Sequence, residues 1–82
     1  MDRLTEIELF VTIAELGGLS RAAEKLGMSN AAASRHLTSL ESRLAGRLVE
    51  RTARNLTLTE VGEEFLRSCT SVLEELKEAE ST

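Results

Sequence analysis

The stretch from residue 17 to residue 29 constrains this chain most. Gly17-Gly18, Gly27, Ser20 and Ser29 cut an otherwise helical pattern into short pieces. Glycine takes the left-handed conformation in which helices commonly end, and serine caps the helix that follows it. Ser20 is therefore expected to cap a short second helix over residues 21–26, with Ala22, Ala23 and Leu26 as its apolar positions. Gly27 ends that helix, and Ser29 caps a third. The third helix carries Ala33, Leu37, Leu40 and Leu44, spaced four, three and four, a narrow stripe facing a core. Two helices joined by about three residues that include a glycine form the helix-turn-helix layout.

The flanking segments complete that unit. Over residues 4–16, Leu4, Ile7, Phe10, Val11, Ile13, Ala14 and Leu16 follow a period near 3.6, which predicts a first helix. Asp2 or Thr5 caps it, and Thr5 with Glu8 has the capping-box spacing. Gly46 is expected to close the third helix. Leu48-Val49 and Leu56-Thr57-Leu58 then flank the polar tip Thr52-Ala53-Arg54-Asn55, the pattern of a two-stranded wing. Thr59 caps a last helix reaching about residue 80, with Glu60, Glu63 and Glu64 at its positive end. The fold class expected is mainly α: a winged helix-turn-helix with a three-helix core and a short β-hairpin wing over residues 1–58, then a long linker or dimerisation helix over residues 59–82.

Charge points to a partner. The net charge of −4 argues against nucleic acid, but its distribution reverses that. Residues 20–55 hold seven basic and three acidic side chains, whereas residues 59–82 hold two basic and seven acidic ones. A basic middle can meet phosphates while an acidic tail avoids them. Hydrophobic residues at 41% against 29% charged place the chain among globular proteins rather than disordered ones. The lone Cys69 cannot form an internal disulfide, the N-terminus has no apolar core of a signal peptide, and no apolar run reaches membrane-spanning length. A cytoplasmic protein without a membrane partner is expected.

Seen by helical angle, Arg35 points away from the core stripe of the third helix. Ala31, Thr38 and Ser42 share its outer face, with Asn30 and Ser34 toward the N-terminal end and flank. Small and hydrogen-bonding residues around one arginine let a helix approach base edges in a major groove, where arginine bonds guanine bidentately. The alternative is a plain solvated face, but such faces are usually rich in Glu and Lys, and this one has neither. Arg54 at the wing tip can enter a minor groove or simply stand in water. Val61, Phe65, Leu66, Cys69, Val72, Leu73, Leu76 and Ala79 line the last helix, which at about 20 residues spans roughly 30 Å. That exceeds what so small a core can cover, so Val72, Leu73 and Leu76 call for a second chain. Packing on the first helix is the plainer alternative. One histidine, His36, and one cysteine supply neither a catalytic constellation nor a zinc site. No enzyme, metal or cofactor is expected, and Cys69 reads as a buried thiol rather than a redox sensor.

Several runs now resemble a known family. Phe10-Val11 with Glu15 and Gly17, and the run Leu19-Ser20-Arg21-Ala22-Ala23-Glu24-Lys25-Leu26, resemble the opening of LysR-type transcriptional regulators. Ser34-Arg35-His36-Leu37 with Leu40-Glu41 is similar to their recognition helix. Leu48-Val49-Glu50-Arg51-Thr52 and Leu58-Thr59-Glu60-Val61-Gly62 resemble the wing and the start of the linker helix. Asn30-Ala31 stands where many members have Gln-Pro, and Val49 where Phe or Leu is common. The resemblance implies base contacts from Asn30, Ala31, Ser34, Arg35 and Arg54, and phosphate contacts from Ser20, Ser29, His36 and Thr52. It also implies a homodimer on a dyad-symmetric promoter site, with Phe65, Leu66, Cys69, Val72, Leu73 and Leu76 at its interface. Full-length members add an effector domain and commonly form tetramers, so the chain corresponds to a DNA-binding part. A molybdate-responsive winged-helix regulator and a helix-mediated interaction module are the alternatives.

Overall fold

The computed structural model describes residues 2–51 and 56–81. Its elements run α1 (Arg3–Leu16), α2 (Leu19–Leu26), α3 (Asn30–Leu44), β1 (Val49–Arg51), β2 (Leu56–Leu58) and α4 (Glu60–Glu80). The strands pair antiparallel, with Val49 opposite Leu58, Glu50 opposite Thr57 and Arg51 opposite Leu56. This is the winged helix-turn-helix expected from the sequence.

Local signals explain most boundaries. Asp2, rather than Thr5, caps α1: its carboxylate accepts from the Leu4 N–H at 3.2 Å, and the Thr5 hydroxyl donates to it at 2.9 Å. The Ser29 hydroxyl accepts from the Ala32 N–H at 3.0 Å, and the Thr59 hydroxyl accepts from the Gly62 N–H at 2.9 Å. Gly27, at φ 71, ends α2 in the left-handed region, and the Met28 N–H then donates to the Ala23 carbonyl at 2.9 Å. That turn fixes the angle between α2 and α3.

Two boundaries differ from expectation. α2 begins at Leu19, two residues early, with Gly18 as its cap and no side-chain cap bond, so Ser20 caps nothing. The reason is burial: Leu19 packs against the core from the first helical position. At the end of α3, Ala45 rather than Gly46 takes the left-handed conformation, at φ 55. The Gly46 N–H closes the turn on the Glu41 carbonyl at 3.1 Å. This early turn brings Leu48 into the core, where it is fully buried. Leu44, the last member of the α3 stripe, therefore lies past the core and is 40% exposed.

The core joins Leu9, Phe10 and Ile13 of α1 to Ala22 and Ala23 of α2, Ala33, Leu37 and Leu40 of α3, and Leu48 and Val49. Three alanines at the α2 and α3 contacts let those helices lie close. Phe65 of α4 reaches the Phe10 ring, with centroids 5.6 Å apart and planes tilted by 41°. Val61, expected in the α4 stripe, faces solvent instead.

Among the described residues one charged side chain lies inside. Glu6 is 1% exposed and pairs with Arg43, tying α1 to α3. Burial by itself would raise its carboxyl pKa. The Arg43 guanidinium, by its hydrogen bond and its charge, and the polar Ser39 outweigh that and hold it below its ordinary value. A carboxyl depressed on folding stabilises the fold above its unfolded pKa of about 4.3, and that stabilisation is lost as pH falls through the folded value. Glu6→Gln is therefore expected to lower stability at pH 7 by roughly 1–3 kcal/mol, through the weakened bond to Arg43. The gap to wild type should narrow in acid. Urea denaturation at neutral pH and below about pH 4 measures it; a gap constant with pH would refute the assignment.

Candidate nucleic-acid interface

The outer face of α3 forms as the helical angles predict. Ala31, Arg35, Thr38 and Ser42 are exposed, as is Asn30 at the first turn, while Ser34 is half-buried. Ala31, Ser34, Arg35, Thr38, Ser39 and Ser42 line one shallow concavity along this face. Apart from Arg35, no side chain there is longer than threonine, so an object as wide as a base pair can approach the helix backbone. Arg35 is its single cation.

The wing lies beside this face, and Arg47 stands in a second concavity between them with Ser34, Thr38 and Val49. Glu41, which borders the same concavity, turns its carboxylate on the backbone. It accepts from the N–H of Leu48 at 2.7 Å and of Val49 at 3.3 Å. A negative charge next to the outer face of α3 is thereby engaged by backbone amides. Arg43, although counted in the basic middle, is drawn inward by Glu6. Arg21, Lys25, Arg35 and Arg47 are the exposed basic residues of that segment, besides Arg43 with its ion pair to Glu6, among the described residues.

The expected phosphate contacts fall out differently. Ser20 and Ser29 are exposed beside the helix-turn-helix, Ser29 as the α3 cap. Ser20 accepts a hydrogen bond from the Asn30 carboxamide at 3.1 Å, a pairing the sequence reading missed. His36 is half-buried, and its Nδ1 is enclosed with no hydrogen-bond partner, so a contact with an outside group falls to the other ring nitrogen. Thr52 and Arg54 lie outside the described residues.

The α4 stripe divides in two. Phe65 and Leu66 pack against this chain's own core, and Cys69 is 3% exposed, with burial pushing its thiol pKa up. Leu73 is half-buried in a groove between α1 and α4, with Val11 and Thr12 opposite. Val72 and Leu76 are exposed. Among the described residues no cluster of His, Cys, Asp and Glu could hold a metal ion, and no helix is long and apolar enough to cross a membrane.

Of the side chains missed in the sequence, Glu6 alone left a signal. It precedes Leu9, Phe10 and Ile13 by three, four and seven residues, which places a carboxylate on the apolar stripe. A charge there requires a partner inside.

Comparison with known proteins agrees with this geometry. The family described as bacterial regulatory helix-turn-helix protein, lysR family, matches residues 4–63. The HTH-type transcriptional regulator CrgA of Neisseria meningitidis is 43% identical over 76 residues, which cover 93% of this chain and 25% of that protein. The chain spans about a quarter of the length of the curated relatives it matches. The crystal structure of the CbnR_DBD-DNA complex superposes with a TM-score of 0.89 at 30% identity, covering 99% of this chain and 92% of that one. The BenM_DBD/catB site 1 DNA complex gives a TM-score of 0.92 at 28% identity, covering 99% and 89%.

Proposed function

Because this chain belongs to the lysR family of bacterial regulatory helix-turn-helix proteins, we propose that it is the DNA-reading part of a transcription regulator. It binds double-stranded DNA sequence-specifically, with α3 in the major groove. The observation that carries the reading is the outer face of α3: small polar residues around Arg35, set on a turn held by Gly27 and by the Met28 N–H. The DNA complexes of CbnR_DBD and BenM_DBD support it, since both superpose over nearly the whole chain. Asn30, Ala31, Ser34 and Arg35 meet bases; Ser20, Ser29, His36 and Thr52 meet phosphates; Arg54 enters the adjacent minor groove. The protein works on DNA in the bacterial cytoplasm, and in a longer protein with an effector domain it assembles further, as a tetramer.

Salt dependence tests this reading. Phosphate contacts release counterions, so affinity falls steeply with salt. If the exposed cations Arg21, Lys25 and Arg47 each neutralise one phosphate in both chains, six in all, affinity should fall roughly a thousandfold between about 50 and 200 mM salt. Fluorescence anisotropy on a duplex selected from a random pool measures it. An affinity flat over that range would refute the electrostatic role of the basic middle.

The dyad-symmetric target requires two copies, and the exposed Val72 and Leu76 on the outer half of α4 supply the surface for antiparallel pairing. Leu76→Glu would place a charge in that seam without touching the core. Sedimentation should find wild type dimeric at tens of micromolar and the variant shifted to monomer. A monomeric wild type at that concentration would remove the dimer.

A further inference from the structure

The hydrogen bond between Ser20 and Asn30 crosses the helix-turn-helix. Asn30 is the first residue of α3, and its carboxamide nitrogen donates to the Ser20 hydroxyl of α2 at 3.1 Å. Neither side chain is otherwise engaged as a cap: Gly18 holds the cap position of α2, and Ser29 that of α3. Both partners are exposed on the side where α3 begins. The intervening turn is held by Gly27 in the left-handed region and by the Met28 N–H on the Ala23 carbonyl, so the distance between them is set by backbone.

An asparagine reads adenine when its oxygen meets N6 and an N–H meets N7, and half a turn of the carboxamide presents the opposite pattern. A free hydroxyl pairs with either edge of the carboxamide, but one whose hydrogen is donated to a backbone phosphate turns only lone pairs toward Asn30, so the bond then selects the nitrogen edge and occupies one of the two amide hydrogens. It leaves the oxygen and the second N–H for a base. We propose that Ser20 is a specificity-determining positioning residue, which holds the Asn30 carboxamide in one orientation and so makes the start of α3 selective for adenine. The inference rests on the reading of α3 as the base-reading helix. The Ser20 hydroxyl hydrogen goes to a backbone phosphate, a contact that carries no base preference of its own but leaves only oxygen lone pairs facing Asn30.

The two roles separate in one experiment. The 82-residue chain is titrated with the duplex it selects from a random pool, and with duplexes in which each base pair of a half-site is replaced in turn. Ser20→Ala is expected to lose roughly tenfold discrimination at one A·T pair and at no other. Asn30→Ala should lose the same, the double variant no more than Asn30→Ala alone, and Ser20→Thr should retain it. If Ser20→Ala weakens every duplex equally, if the two losses add, or if the affected pair is G·C, the inference is overturned. A wild-type chain with no preference among the duplexes would overturn the reading of α3, and this inference with it.

Discussion

Gly62→Ala is expected to cost this chain a large share of its stability. A Cβ built at Gly62 lies 3.0 Å from the Leu48 carbonyl carbon and 3.2 Å from its Cα, and nearer still to its oxygen. These are backbone atoms of a residue that is fully buried, so no flexible side chain can move aside. The same segment holds α4 in place: the Thr59 N–H donates to the Leu48 carbonyl at 2.9 Å, and the Thr59 hydroxyl donates to the Arg47 carbonyl at 2.6 Å. Relieving the clash means lifting the first turn of α4 away from both bonds and from Leu48. Overpacking alone costs about 1–3 kcal/mol; with a hydrogen bond or two lost at about 1 kcal/mol each, the total is about 2–5 kcal/mol, near 3 for the middle of both ranges. A domain of this size has roughly 4–12 kcal/mol in all. The melting temperature should fall by about 12–24 °C, at about 4–8 °C per kcal/mol. Gly46→Ala is the control, since its Cβ meets only the Leu44 carbonyl oxygen, at 4.0 Å. Circular dichroism melts compare the two, and equal melting temperatures would show that the Leu48 contact can relax.

Arg35→Ala is expected to have the largest effect on recognition. Arg35 is exposed on the α3 face that lacks other long side chains, and the concavity beside it is lined by Ala31, Ser34, Thr38, Ser39 and Ser42. In the major groove each base pair presents its own donor and acceptor pattern, and a bidentate arginine discriminates by about 1–3 kcal/mol. On the proposed dyad site, with one copy on each half, the loss would be about 2–6 kcal/mol on the selected duplex, twice that for one half-site. Random DNA should lose far less, because there Arg35 contributes one charge among several. Affinities on selected and random duplexes at one salt concentration decide it. Equal losses on both would make Arg35 a phosphate contact and move base reading to Asn30 and Ser34.

Much of the fold and of the candidate interface was legible because it depends on short spans of chain. The caps Ser29 and Thr59 each bond an N–H three residues ahead. The outer face of α3 follows from the stripe on the same helix, since one fixes the other by angle. The α4 stripe was legible in direction but not in use. Periodicity marks an apolar face without saying how far along the helix a core extends. Here Phe65, Leu66 and Cys69 meet this chain's own core, and Val72 and Leu76 run past it.

The sequence by itself determined three helices, a wing, a long last helix and an outer α3 face of small residues that carries Arg35. Only the tertiary structure decided which polar groups meet across them. Glu6 finds Arg43 at a separation of 37 residues, Ser20 finds Asn30 across the turn, and Glu41 bonds the amides that lead into the wing. It also decided that Ala45 takes the left-handed turn while Gly46 follows it, because Leu48 has to reach the core. Propensity and periodicity act within a few residues, whereas these choices are set by where packed helices bring distant backbone and side chains together.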